Sequence, residues 1–109
     1  MGGRLSKGRI LWADDEVDML RPHTILLVRE GYHVDAVMNG NDALELLERE
    51  SYDLVLLDEQ MPGLRGIDVL SQIRSRGRGI PVVMVTKSQT DDVMHEAIGR
   101  RADDYIVKP

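Results

Sequence analysis

Apolar residues are distributed along the chain in two alternating patterns. Continuous runs at Ile10-Leu11-Trp12-Ala13, Leu54-Val55-Leu56-Leu57 and Val82-Val83-Met84-Val85 each stop at a polar or acidic residue, as strands buried on both faces do. A weak alternation from His33 to Met38 predicts another strand, and Tyr105-Ile106-Val107 a fifth. Between these runs the spacing becomes helical. Val17, Leu20, Leu27 and Val28 recur up to Gly31, which can serve as a stop. Ala43, Leu44, Leu46 and Leu47 form a face ending near Arg49, behind a cap at Asn39. Ile67, Leu70 and Ile73 mark a third helix, after a loop punctuated by Pro62, Gly63 and Gly66. Thr90 can cap a fourth, with Asp91 and Asp92 in its first turn and Val93, Met94, Ala97 and Ile98 inward. Pro22 removes a backbone donor and is expected to kink the first helix or delay its regular start.

Strands that alternate with helices of this length imply a parallel α/β sheet with right-handed crossovers. The 109 residues suffice for one core and one domain. With 42% hydrophobic and 30% charged residues the composition is that of an ordinary globular chain. A net charge of -5 argues against a nucleic-acid or anionic-membrane surface, and Arg74, Arg76 and Arg78 read as a solvated connection. The absence of cysteine excludes disulfides and thiolate metal sites, and His23, His33 and His95 lack metal-ligand spacing. No apolar run approaches the roughly 20 residues of a membrane span, and no leader opens the chain, so a cytoplasmic location is expected. Residues 1–8 are expected to form a flexible extension and 9–109 the domain.

If the strands run parallel, Asp14-Asp15, Asp58, Thr86 and Lys108 stand at the carboxyl ends of the first, third, fourth and fifth and converge on one sheet edge. Carboxylates gathered there repel one another, and a divalent cation or an amine relieves the cost. Oxygen ligands suit Mg²⁺, which keeps waters and shares phosphates. Phosphoryl transfer needs an in-line nucleophile and positive charge on the phosphoryl oxygens. Asp58 fits the nucleophile, Asp14 and Asp15 the metal ligands, Thr86 a hydroxyl donor and Lys108 the ammonium. The plainer alternative for Asp58 alone is that it starts a polar loop.

The acidic pair Asp14-Asp15, the stretch Leu57-Asp58-Glu59-Gln60-Met61-Pro62 with Gly66, Thr86, and Asp103-Asp104-Tyr105-Ile106-Val107-Lys108-Pro109 together resemble the receiver domain of bacterial two-component response regulators. The resemblance implies a flavodoxin-like, five-stranded parallel sheet of order 2-1-3-4-5 with helices on both faces. It implies a switch and not an enzyme, one that assists only its own phosphorylation and dephosphorylation. Asp58 would take a phosphoryl group from the phosphohistidine of a sensor histidine kinase or phosphotransfer protein. Asp15 would bind Mg²⁺ directly, Asp14 largely through water, and the Gln60 backbone carbonyl would be a further ligand. Thr86 and Tyr105 would act as switch residues, and an output domain or partner protein would receive the signal. The chain departs from the pattern at Lys87, where a small residue is usual, and at Arg101, where a glycine usually stands. It also stops at Pro109, so the family's fifth helix is absent from these residues. An uncovered apolar face is then expected, with a homodimer among the partners it allows. The wording Leu11-Trp12-Ala13-Asp14-Asp15-Glu16 and Val85-Thr86-Lys87-Ser88 is most similar to PorX-type regulators. The rival readings are an unphosphorylated pseudo-receiver used for docking and a Mg²⁺-dependent phosphatase. Against the second, Asp58-Glu59-Gln60 lacks the Asp-x-Asp that haloacid-dehalogenase-like enzymes carry.

Overall fold

The computed structural model describes residues 7–16, 21–77, 79–86 and 103–107, and within these it leaves the side chains of residues 86 and 105–107 undescribed. The chain runs β1 (Gly8–Ala13), α1 (Arg21–Arg29), β2 (Tyr32–Val37), α2 (Gly40–Arg49), β3 (Leu54–Asp58), α3 (Gly66–Ser75), β4 (Val82–Thr86) and β5 (Asp104–Val107). The strands form one five-stranded sheet of order β2-β1-β3-β4-β5 in which every pairing is parallel. The expected order is therefore found. Val17, Leu20 and the helix expected from Thr90 to Ile98 lie outside the described residues, as do Lys87, Arg101 and residues 1–6.

Sheet order and handedness together fix the layers. From β1 the chain steps one way to β2, then returns past β1 to β3 and onward, so right-handed crossovers put α1 on one face and α2 and α3 on the other. Period-two alternation sorts the side chains accordingly. Leu11, Ala13, Val55, Leu57, Val82 and Met84 share a core cluster with Ala43, Leu44 and Leu47 of α2 and Ile67, Val69, Leu70 and Ile73 of α3. Ile10 and Trp12, of opposite parity in β1, are buried on the other side.

The helices start and stop for local reasons. The Asn39 side chain accepts a hydrogen bond of 2.8 Å from the Asp42 amide, capping α2 as the sequence implies. Gly31, two residues beyond the end of α1, has φ of +103°, with its amide bonded to the Val28 carbonyl at 3.0 Å. Pro22 is the second residue of α1 as described, and in a first turn its missing N–H costs nothing. Unlike α2 and α3, α1 has no buried residue, and Ile25, Leu26 and Val28 are exposed. The arginines at the end of α3 are less solvated than their sequence suggests. Arg74 is nearly buried, donating to the Ile80 carbonyl at 2.6 Å and pairing with Asp103 at 2.9 Å, while Arg76 reaches Glu48 at 2.8 Å. Arg78 lies outside the described residues.

Two contacts tie the layers together. A Cβ placed on Gly66 would stand 2.2 Å from the Asp58 carbonyl oxygen and 3.0 Å from Met84 Cε, so only glycine lets α3 begin directly against the end of β3. At the opposite end of the sheet, the buried Tyr52 donates its hydroxyl to Asp35 Oδ2 at 2.5 Å, and the Arg9 guanidinium lies over its ring at 5.1 Å. Burial first, and then the Asp35 carboxylate, push the Tyr52 hydroxyl well above its ordinary pKa.

Gly66→Ala should destabilise the domain by about 1–3 kcal/mol in urea denaturation, because backbone stands where the new methyl would go. Tyr52→Phe should cost about 1.5–3 kcal/mol at neutral pH, the usual range for a hydrogen bond to a charged acceptor. A phenol whose pKa is raised on folding adds stability that is complete below its unfolded pKa of about 10 and is lost as pH climbs beyond it. The parent should therefore lose stability above about pH 10, and Tyr52→Phe should lose less of it in the same denaturation series.

Candidate functional site

The point at which the strand order reverses falls between β1 and β3, although all strands run parallel. These are paired neighbours, with Ala13 opposite Leu57, and the chains leaving them depart to opposite faces. A crevice at that point is where open α/β sheets bind their ligands. Asp14 follows β1 directly, and Asp58 is the last residue of β3.

Both acids are buried, Asp14 at 0% exposure and Asp58 at 3%, whereas Asp15 is exposed. The Asp14 amide donates to the Val37 carbonyl at 3.0 Å, continuing the β1–β2 ladder one residue past the strand. Its Oδ1 accepts from the Glu16 amide at 2.8 Å, a tight turn that folds the acidic run back over the strand end. In the same way Asp58 Oδ1 accepts from the Gln60 amide at 3.3 Å. Each β-strand thus ends in a carboxylate that organises the loop following it.

One carboxylate oxygen from each of Asp14, Asp15, Glu16 and Asp58 can be chosen so that all lie within 4.8 Å of one another. Four negative groups at that spacing favour a hard cation, and the all-oxygen donor set is of the kind that holds Mg²⁺. The residues present therefore fit such an ion. Asp14, Asp15 and Asp58 are brought together as the sequence implies. Glu16 joins them as a residue that the sequence reading did not single out, although it continues the same acidic run. Thr86 is the final residue of β4, one position beyond Val85, which pairs with Asp58. That puts its backbone at the same sheet edge. Tyr105 lies in β5 opposite Met84. The side chains of Thr86 and Tyr105, and the whole of Lys108, fall outside the described residues.

Sequence reasoning also passed over a pair next to Asp58. Glu59 is buried at 4% exposure, and its Oε1 is bound by Nη2 of the half-exposed Arg65. The signal was strand parity: counting on from Val55 and Leu57, residue 59 falls on the core face. The Glu59 amide is still in the sheet, donating to the Val85 carbonyl at 2.9 Å.

Comparison with known proteins places this geometry. The sequence profile of the response regulator receiver domain matches residues 10–109. The chain is 41% identical over 102 residues to the sensory transduction protein RegX3 of Mycolicibacterium smegmatis, with 92% of this chain and 43% of that protein covered. It thus spans less than half the length of that curated relative. Among solved structures, the receiver domain of the Francisella response regulator 1452 superposes with a TM-score of 0.88 at 26% identity, covering 94% of this chain and 85% of that one. The Thermotoga maritima response regulator TrrA, solved in complex with Mg²⁺ and BeF, superposes with a TM-score of 0.81 at 34% identity, covering 93% and 86%. A family profile that spans nearly the whole chain, joined to the sheet order and the acidic crevice, leads to one conclusion: the chain belongs to the response regulator receiver domain family, the phospho-acceptor switches of two-component signalling.

Proposed function

We propose that Asp58 is the phospho-acceptor of this receiver and that it works with Mg²⁺. The observation that carries the reading is the burial of Asp58 at the crevice between β1 and β3, within 4.8 Å of three further carboxylates. A carboxylate oxygen of Asp58 attacks the phosphorus of a phosphohistidine on a sensor histidine kinase or phosphotransfer protein. The new P–O bond forms as the P–N bond breaks, and the departing imidazole nitrogen keeps the electron pair and takes a proton from solvent. Asp14, Asp15, Asp58 and the Gln60 carbonyl would hold the cation. When bound, it offsets negative charge on the phosphoryl oxygens and on the acids themselves.

Thr86 and Lys108 are the residues proposed to read the phosphoryl group, and Tyr105 to pass the change toward an output domain or partner protein. A phosphoryl group brings roughly two negative charges and three acceptors, enough to bias a two-state segment. Catalysis in this reading is confined to the domain's own phosphorylation and dephosphorylation. A cytoplasmic setting belongs to it too, and among the described residues no helix is long and apolar enough to cross a membrane. The PorX-type subtype rests on the wording around Asp14 and Thr86 alone.

Incubation with acetyl phosphate and Mg²⁺ should add one phosphoryl mass to the intact protein, and Asp58→Asn should add none. Labelling of Asp58→Asn at the parent's extent would move the acceptor elsewhere. A chelator should block labelling. Asp15→Ala should raise the Mg²⁺ concentration for half-maximal labelling by more than about tenfold, since loss of a direct ligand should exceed the 10–100-fold typical of outer partners. An unchanged Mg²⁺ requirement in that variant would remove Asp15 from the ligand set.

A further inference from the structure

The Glu59–Arg65 pair has a geometry that stability alone does not account for. Strand parity drives the Glu59 carboxylate into the rim of the apolar layer shared with Val55 and Leu57, and it is 5% exposed. Arg65 Nη2 binds one of its oxygens, while Oε2 is buried with no hydrogen-bond partner among the described residues. A buried ion pair with an acceptor left over is usually no more stable than two apolar side chains of the same volume. Glu59 and Arg65 are the two ends of the segment that joins β3 to α3, and that segment is also closed through the backbone, where the Gly66 amide donates to the Glu59 carbonyl at 3.1 Å. Inside the closure lies Gln60, whose amide is bonded to Asp58 Oδ1 at 3.3 Å. Any slip of the segment changes where the Gln60 carbonyl stands relative to the Asp58 carboxylate. Arg65 has an electrostatic part as well, because its guanidinium offsets the charge of the buried Glu59 carboxylate.

We propose that the Glu59–Arg65 ion pair is a positioning clasp that holds the β3–α3 loop in the register at which Asp58 and the Gln60 carbonyl meet one divalent cation. The inference rests on the metal reading above. Neither residue touches the ion, and both act through the loop between them. Outer partners of a metal site commonly alter affinity by 10–100-fold, so the expected effect lies in cation binding by the unphosphorylated protein.

The test measures the Mg²⁺ dissociation constant by calorimetry and the melting curve in chelator for four proteins: the parent, Arg65→Met, Arg65→Lys, and the double variant Glu59→Met/Arg65→Met. Arg65→Met should weaken Mg²⁺ binding about tenfold, and Arg65→Lys, which keeps the charge within reach of Glu59, should recover to within about threefold of the parent. The double variant should melt within a few degrees of the parent yet bind Mg²⁺ as weakly as Arg65→Met, a separation that a purely structural role does not produce. Should Arg65→Met fail to fold, the double variant and Arg65→Lys carry the same comparison. Parent-like affinity in Arg65→Met or in the double variant overturns the clasp. A parent that binds no Mg²⁺ overturns the metal reading and the clasp with it, whereas a binding parent matched by every variant overturns the clasp alone.

Discussion

The parallel pairing of β1 with β3 is the constraint on which the rest of the molecule depends. Once these strands are neighbours and every crossover is right-handed, the chain leaving β1 must cover one face and the chain leaving β3 the other. The gap between their carboxyl ends is the kind of crevice at which open α/β sheets bind ligands. Whatever side chains the sequence puts at positions 14 and 58 therefore meet at a place accessible to a ligand but walled by strands. Here those side chains are carboxylates, drawn almost completely out of water. Burial makes their repulsion costly, a cost that a divalent cation held between them would offset.

Holding the acceptor in place takes contacts from the opposite layer. Asp58 ends a strand whose preceding residues, Val55 and Leu57, are fully buried against α2 and α3. Gly66 then brings the first turn of α3 against the Asp58 carbonyl, at a distance no side chain would permit. The backbone of Asp58 is consequently fixed by the core, while its side chain faces the crevice. A rigid mount of this kind suits the role proposed for Asp58, since charge added to it would act on other groups and not dissipate in movement of the residue itself.

How far the sequence discloses this arrangement depends on whether local pattern or tertiary contact decides each feature. The strands are legible because apolar runs stop abruptly at acids, and the burial of Leu11, Leu57 and Val82 follows from that alone. The Asn39 cap and the Gly31 stop are equally local and stand as expected. Gly66 reads as loop punctuation, yet it is the first residue of a helix, because its function is a close approach to a residue eight positions earlier. Arg74 reads as solvated for the same reason. Its partners, the Ile80 carbonyl and Asp103, are supplied by chain that only the fold brings near. Apolar spacing in α1 signals a helix correctly but not a buried one, since periodicity reports the shape of a face and not what lies against it.

Glu59 shows the same limit at the site itself. A polar residue after an acid reads as the start of a loop, and by composition the stretch Asp58-Glu59-Gln60 does leave the core. The hydrogen-bond ladder runs on for one more residue, however, as the Glu59 amide pairs with the Val85 carbonyl. One further step of the pleat is enough to turn a carboxylate inward, and once inward it needs a cation. Arg65 supplies it from the residue preceding α3, so a consequence of β-geometry at one end of the loop sets the side chain required at the other. The acids at this end of the sheet thereby face different surroundings. Glu59 turns toward the core layer and meets the Arg65 guanidinium, whereas one carboxylate oxygen from each of Asp14, Asp15, Glu16 and Asp58 can lie within 4.8 Å of the others, a spacing that suits a divalent cation.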